Sequence, residues 1–181
     1  MPLRFAGLAF ALALLAVGCS DRPKAPPITN DPVFQNDKIG LRFLAPEGWP
    51  MVARADPPPG RLSRPVVIVS YAQAKGEKPA EFELMAADLP DDADLVQFLA
   101  DHRIGKDKWD VKPAAEPVKV NGVAGTRYTM TRGSGKNEYR REATAFRRNE
   151  RVYFFIVTFG AADPEHRDHA RRSIESISWK D

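Results

Sequence analysis

Few side chains in this sequence combine a type and a spacing that could do chemistry, and the clearest set lies near the C-terminus. His166 and His169 are three positions apart, and Asp163 stands one helical turn before them. Residues three apart on a helix share a face, so this set could hold zinc or manganese if further ligands converged on it. The neighbouring Arg167 and Arg171 would repel a cation. The sequence therefore favours an ordinary helix surface here, and we expect no metal.

A glycine-rich segment, Gly133-Ser134-Gly135-Lys136, is superficially similar to a phosphate-binding loop. A Walker sequence needs glycine five places before its second glycine and serine or threonine after the lysine. Met130 and Asn137 occupy those two places, so a hairpin turn explains the segment better. The sequence also lacks a Gly-x-Ser-x-Gly nucleophile elbow. These observations predict a protein without catalytic residues.

Basic side chains crowd into the segment 132–151, where Glu138, Glu142 and Glu150 interleave with them. They are Arg132, Lys136, Arg140, Arg141, Arg147, Arg148 and Arg151. One interpretation is a basic rim, with Arg140, Arg147 and Arg148 as its members, for an acidic partner, anionic lipid headgroups or a wall polymer. The other is a solvated sheet edge on which charges prevent strand addition. The interleaved glutamates favour the second interpretation.

The only cysteine, Cys19, directly follows the only long apolar run of the chain, residues 5–17. A bilayer-spanning helix needs about 20 apolar residues, so this run has the dimensions of a signal-peptide core. A single cysteine also excludes an internal disulfide framework, a cysteine-rich zinc site and an iron–sulfur cluster. The position of Cys19 is therefore the informative feature.

The residues Ala16-Val17-Gly18-Cys19 resemble the bacterial lipobox, with Ala16 standing where leucine is commonest. The resemblance implies cleavage between Gly18 and Cys19, which makes residues 1–18 a signal peptide. It implies a diacylglycerol on the Cys19 thiol and usually a further acyl chain on its amine, with no other cofactor. Ser20 implies, by likeness to enterobacterial lipoproteins, an outer-membrane position facing the periplasm. The alternative is an ordinary secretory signal followed by a chance cysteine.

The rest of the chain divides into a tether and one domain. Residues 19–32 contain four prolines and little apolar content, which is typical of a semi-extended tether. Residues 33–179 then form a single domain, as a chain of 181 residues with 43% hydrophobic and 28% charged content suggests. The net charge of +3 is too small to predict nucleic-acid binding.

Alternating and continuous apolar runs predict an α+β domain with an antiparallel β-sheet of six or seven strands and helices on both faces. Asn121-Gly122 and Asn149-Glu150 predict hairpin turns. Apolar spacing predicts one helix from Leu95 to His102, and Asp163-Pro164 predicts the N-cap and first residue of another. Candidate strands lie at 33–36, 40–45, 66–71, 81–86, 118–120, 125–132, 139–148 and 151–159, with a long loop over 54–65.

Three segments have the character of a known family: Gly40–Trp49 (GLRFLAPEGW), Val120–Gly125 (VNGVAG) and Arg151–Phe159 (RVYFFIVTF), followed by a closing helix to Ile177. In this order they resemble the Mog1/PsbP-like α/β/α sandwich, which includes bacterial domains related to the envelope protein DcrB. The resemblance spans roughly residues 33–179. It implies a non-catalytic accessory module that works by contacting other proteins, and it brings no catalytic residues.

The sequence thus predicts a lipid-anchored envelope protein whose partners are membrane lipid, through acylated Cys19, and another envelope protein. Two alternatives remain. A carrier of a small apolar ligand would need a pocket between sheet and helix. An envelope hydrolase would need a histidine facing a carboxylate, with a serine in the same cleft.

Overall fold

The structure is a computed structural model that describes residues 32–74, 79–101 and 109–180. The strands and helices in this part of the chain are β1 (Val33–Asn36), β2 (Leu41–Leu44), β3 (Met51–Arg54), β4 (Val66–Gln73), β5 (Ala80–Asp88), α1 (Leu95–Asp101), β6 (Asp110–Val120), β7 (Val123–Arg132), β8 (Tyr139–Arg148), β9 (Arg151–Gly160), α2 (Pro164–Glu175) and β10 (Ser178–Trp179). The predicted signal peptide, with Gly18, and the tether from Cys19 to residue 31 lie outside the described residues. Within the described ranges, no helix has the length and apolar content needed to cross a membrane.

The strands form two antiparallel sheets. One has seven strands in the order β3-β4-β5-β9-β8-β7-β6, and the other has three in the order β1-β2-β10. The predicted α+β fold with an antiparallel sheet of six or seven strands is therefore confirmed, with seven strands in that sheet. The second sheet was not predicted. It forms because β1 and β2 pair with each other, with Phe34 opposite Phe43, and β10 returns so that Trp179 lies opposite Leu41.

Each face of the large sheet has its own core, which is clearest along β9. Phe155 and Val157 belong to the core covered by α2 and the small sheet, together with Ile174 of α2. Phe154 belongs to the core covered by α1, together with Leu99 of that helix. Successive residues of a strand point to opposite faces, so a run that is apolar throughout must be covered on both sides. The two helices lie on opposite faces, as predicted.

Both helices begin at an aspartate. The Asp163 side chain accepts a hydrogen bond from the His166 backbone N–H, and Pro164 occupies the first turn of α2, where a missing donor costs little. The Asp94 carboxylate accepts from the backbone N–H groups of Val96 and Gln97 and so caps α1. His102, the predicted end of the first helix, lies outside the described residues.

The segment predicted as a loop from Arg54 onward is flanked by a short strand that the sequence did not reveal. β3 forms the edge of the large sheet beside β4, and all four of its residues are exposed. The loop beyond it is held at Leu62, whose side chain is buried and whose backbone N–H donates to Asp88 at 2.6 Å. This attachment brings the loop against the ends of β5 and β9.

Candidate functional site

Three connections meet where β5 ends and β9 begins, and they line an open groove of about 380 Å³ that we call the loop groove. Its lining residues are Gly60, Arg61, Asp88, Leu89, Pro90, Asp91, Asn149, Glu150 and Arg151. The volume lies within the roughly 300–1,000 Å³ of ligand sites. Most ligand sites are predominantly apolar, whereas charged side chains dominate this lining. The groove is therefore suited to a polar or charged partner.

The floor of the loop groove is an ion pair with two contacts. Arg151 Nε lies 2.5 Å from Asp88 Oδ1, and Arg151 Nη2 lies 3.1 Å from Asp88 Oδ2. Arg151 Nη2 also donates to the Gly60 carbonyl at 2.8 Å. The hydrogen bond from Arg151 lowers the pKa of the Asp88 carboxyl, and the same bond raises the pKa of the Arg151 guanidinium. Both charged groups are therefore paired within the protein, and the pair holds the floor of the groove in place.

The rim of the loop groove is the turn between β8 and β9. Asn149 and Glu150 both have left-handed backbone conformations, with φ of 50° and 62°. Asparagine tolerates this region, but glutamate enters it at a cost. In the equivalent turn between β6 and β7, the second position is Gly122, with φ of 86°. The chain therefore places a carboxylate on the groove where glycine would be the less strained residue.

A further pair of opposite charges joins Asp91 of the groove lining to Arg147, which lies beside the groove. Arg147 Nη1 donates to the Leu89 carbonyl at 3.2 Å and lies 3.5 Å from Asp91 Oδ1. The Asp91 side chain is 97% exposed, so this contact contributes little to stability. Asp91 and Glu150 are thus acceptors open to solvent, while Arg61 is an exposed donor. The groove can exchange charge-assisted hydrogen bonds with a partner that carries both signs.

The structure does not bring the three arginines of the predicted rim to one surface. Arg147 and Arg148 are consecutive on β8 and so point to opposite faces of the sheet. Arg148 donates to the Lys180 carbonyl at 2.6 Å and lies over the Trp179 ring. Arg140 is seven residues away on the same strand, about 23 Å, and lies 3.4 Å from Glu138. The alternation of a β-strand could have predicted this separation.

The histidines of α2 face different neighbours. His166 Nδ1 lies 2.8 Å from Asp163 Oδ2, in an approach too oblique for a hydrogen bond, and its ring meets Trp49 edge-on at 5.4 Å. His169 Nε2 lies 3.9 Å from carboxylate oxygens of both Glu47 and Glu165. Across the described residues, no group of three or more histidine, cysteine, aspartate or glutamate side chains could hold a metal ion.

The hydrolase alternative needs a serine beside a histidine and a carboxylate. Ser173 follows the histidines on α2, but its hydroxyl donates to the His169 carbonyl at 3.2 Å within the helix. Ser176 likewise donates to the Ser173 carbonyl at 2.7 Å and accepts from the backbone N–H of Leu44. These two hydroxyls stabilise the end of α2, and neither is directed at an imidazole.

A buried polar cluster on the α1 face escaped the sequence reasoning. Glu83 of β5 is 7% exposed, and burial together with the nearby Glu81 charge raises its pKa to about 7. Arg141 of β8 is similarly buried, donates to Thr158 Oγ1 at 3.1 Å and lies 4.2 Å from the centre of the Trp109 ring. Alternation along β5 places Glu83 on the face opposite Phe82 and Leu84, together with the exposed Glu81, so the sequence gave no sign that Glu83 is buried.

The two sheets, with helices on both faces, define a PsbP-like α+β fold. The solution structure of cyanobacterial PsbP (CyanoP) from Synechocystis sp. PCC 6803 matches with a TM-score of 0.58 and 14% identity, covering 82% of this chain and 92% of that one. The crystal structure of PA94, a protein of unknown function from Pseudomonas aeruginosa, gives a TM-score of 0.47 and 12% identity, covering 83% and 98%. Neither a protein-family model nor a curated protein matches the chain. At such identities the first likeness establishes the fold alone.

Proposed function

We propose that this chain is a lipid-anchored envelope protein whose domain acts as a non-catalytic accessory module, binding another envelope protein at the loop groove. The observation that carries the proposal is the backbone conformation of Glu150, with φ of 62° at the groove rim. Residues held in sparsely populated conformations concentrate at functional sites. The likeness in fold to PsbP is consistent with an accessory role.

The strain at Glu150 is not offset by contacts within the described domain. Its side chain is exposed and makes no hydrogen bond or ion pair with another described residue. A left-handed conformation costs a residue with a side chain about 1–2 kcal/mol relative to the right-handed region. A turn selected for stability alone would use glycine, as the Asn121-Gly122 turn does. The carboxylate is therefore best explained by a contact with a partner.

Polar chemistry around Glu150 defines the partner surface. Asp91 and Glu150 present acceptors to a partner at the rim and Arg61 presents a donor, and the Asp88–Arg151 pair fixes the floor beneath them. Such a mixed surface recognises a folded protein by complementary charges more readily than it retains an apolar ligand. This charge pattern favours protein binding over the carrier alternative at this site.

The anchor in this proposal is a lipid on Cys19, supported by the apolar run of residues 5–17 and the Gly18-Cys19 junction. Two or three acyl chains hold a protein stably on a bilayer, whereas one chain gives only marginal binding. Cys19→Ser should abolish incorporation of radiolabelled palmitate and release the protein from membranes. Unchanged membrane retention of this variant would contradict the anchor.

Photo-crosslinking in intact membranes tests the groove. A photoreactive amino acid replaces Asp92, which is exposed next to the groove and outside its lining, and the native anchor is kept. We expect one discrete crosslinked protein, with a yield that falls at least several-fold in the Glu150→Gln background. Glu116→Gln is the matched control, because Glu116 is 66% exposed on β6 and outside the groove lining. Equal yields in both backgrounds would remove Glu150 from the binding surface.

A further inference from the structure

Large apolar side chains that face solvent are few in the described residues, and most of them lie on two strands that contact each other. Val33 of β1 is 42% exposed, and Met51 and Val52 of β3 are 47% and 66% exposed. We call these three residues the apolar corner. The remaining exposed side chain of this kind is Val67 of β4, at 36%.

Contacts between β1 and β3 connect the two strands that carry the three residues. Arg54 Nη2 donates to the Gln35 carbonyl at 2.9 Å, and the Arg54 guanidinium lies over the Phe34 ring, 5.1 Å from its centre. Just beyond β3, Asp56 accepts a hydrogen bond from Asn36 Nδ2 at 3.2 Å. The strand that carries Val33 is therefore held against the strand that carries Met51 and Val52.

The apolar corner is not built for adding a strand from another protein. β3 has four residues, follows Pro50 and carries a register shift between Met51 and Ala53 in its pairing with β4. Short, bulged edge strands are the devices that discourage strand addition. The corner therefore offers apolar side chains and not a usable backbone edge.

The chain outside the described residues indicates what covers the apolar corner. Thirteen residues, Ser20 to Pro32, connect Cys19 to Val33, which is itself part of the corner. In a polyproline conformation, at about 3.1 Å per residue, this segment spans about 40 Å. A lipid on Cys19 would thus keep the bilayer within reach of the corner at all times.

The loop groove lies toward the other end of the large sheet. Met51 stands in register with Tyr71, Phe82 and then Val157 of β9. The groove residue Arg151 is six positions from Val157 on that strand, a separation of about 20 Å. A bilayer at the corner would therefore leave the groove accessible to a partner.

We propose that the apolar corner docks on the surface of the bilayer that holds the Cys19 lipid, which directs the loop groove away from the membrane. This inference rests on the proposed lipid attachment. Three partly exposed side chains are too few for stable binding by a free domain. A short tether converts docking into an intramolecular step with an effective concentration in the millimolar range, which suffices for a weak contact.

Chemical anchoring tests the docking apart from acylation in the cell. The mature chain starting at Cys19 is coupled through its single thiol to maleimide-headgroup lipids in phosphatidylcholine–phosphatidylglycerol vesicles, with p-benzoylphenylalanine at position 52. We expect lipid photoadducts several-fold above those of the same probe at position 67. Val67 is the matched control because it is exposed but stands opposite Met85 of the α1-side core. Equal adduct yields would overturn the docking.

Two further measurements separate the possible failures. With the probe at position 51, Val52→Asp should lower the lipid adduct several-fold and Val67→Asp should leave it unchanged, with thermal melts confirming that both variants fold. In intact cells, a protein crosslinked at position 52 in place of lipid would overturn the inference and assign the corner to that protein. Palmitate incorporation depends on Cys19 and not on positions 51, 52 or 67. A failed anchor would therefore appear in the palmitate experiment, whereas a failed docking would appear as equal lipid adducts in the chemically anchored protein.

Discussion

Arg151 and Asp88, 63 positions apart in the chain, form a two-contact ion pair that joins the first residue of β9 to the last residue of β5. Both side chains are largely buried, and Asp88 also accepts from the Leu62 backbone N–H at 2.6 Å. One carboxylate therefore holds two strand ends and the loop that closes the groove. The hydrogen bonds from Arg151 and from the Leu62 backbone lower the pKa of Asp88.

Asp88→Asn should destabilise the domain at pH 7 by about 2 kcal/mol, because hydrogen bonds to charged groups are worth about 1.5–3 kcal/mol. The lowered pKa sets the pH dependence. The stabilisation by Asp88 is present above its unfolded pKa and is lost as the pH falls through its lower folded pKa. Urea denaturation between pH 3 and 7 measures both effects. Asp91→Asn, at a fully solvated carboxylate, should change stability by less than about 0.5 kcal/mol.

Glu150→Gly should make the protein more stable by about 1 kcal/mol while weakening crosslinking at the groove. Glycine relieves the left-handed strain at φ of 62°, although it loses more conformational entropy on folding. Gly122→Glu is the converse control, since a Cβ there meets nothing within 4 Å and only the backbone, at φ of 86°, opposes it. Thermal denaturation should show a higher melting temperature for Glu150→Gly and a lower one for Gly122→Glu. A less stable Glu150→Gly variant would show that Glu150 is a structural residue.

Glu83→Gln should remove a pH dependence of stability. The folded-state pKa of Glu83 is raised from 4.5 to about 7, so the folded protein holds this proton more tightly than the unfolded chain. Its contribution is therefore most favourable below pH 4.5 and declines as the pH rises to about 7. The difference between these two pKa values corresponds to about 3 kcal/mol in the free energy of unfolding. Glu83→Gln should therefore be more stable than the natural chain by up to that amount between pH 5 and 8.

The neighbour of Glu83 provides a second test of the same cluster. Glu81→Gln removes a negative charge that raises the pKa of Glu83, so the decline in stability should move to lower pH. Chemical denaturation at several pH values, or infrared detection of the Glu83 carboxyl, would follow this change. A pH profile identical to that of the natural chain would mean that Glu81 does not act on Glu83.

Gly125→Ala should destabilise the domain by about 1–3 kcal/mol, the usual cost of overpacking. Gly125 stands opposite Phe146 across β7 and β8, and an added Cβ would lie 2.8 Å from both the Phe146 ring and the Ala145 carbonyl oxygen. Thr126→Ala, on the next position of β7, provides the control and should cost less. Urea denaturation with equal m-values would show that the loss reflects packing in the folded state.

Local chemistry in the sequence determined much of the fold. The Asn121-Gly122 and Asn149-Glu150 turns, the Asp163 cap and the doubly apolar run along β9 were predicted, and each forms as expected. These features depend on interactions within a few residues, such as a turn that needs positive φ or a cap that needs a side-chain acceptor. The doubly apolar run also predicted that helices cover both faces of an antiparallel sheet.

Tertiary structure alone decided the candidate site. The pairing of Asp88 with Arg151 gave no signal in the sequence, because the loop groove exists only where β5, β9 and the loop at Gly60 meet. The small sheet likewise depends on β10 returning to β2 from the far end of the chain. Arg140 and Arg147, by contrast, lie seven residues apart along β8, a separation that strand geometry already implies, although one interpretation of the sequence placed them in one rim. Contacts between distant segments depend on register and packing, and local propensity does not encode them.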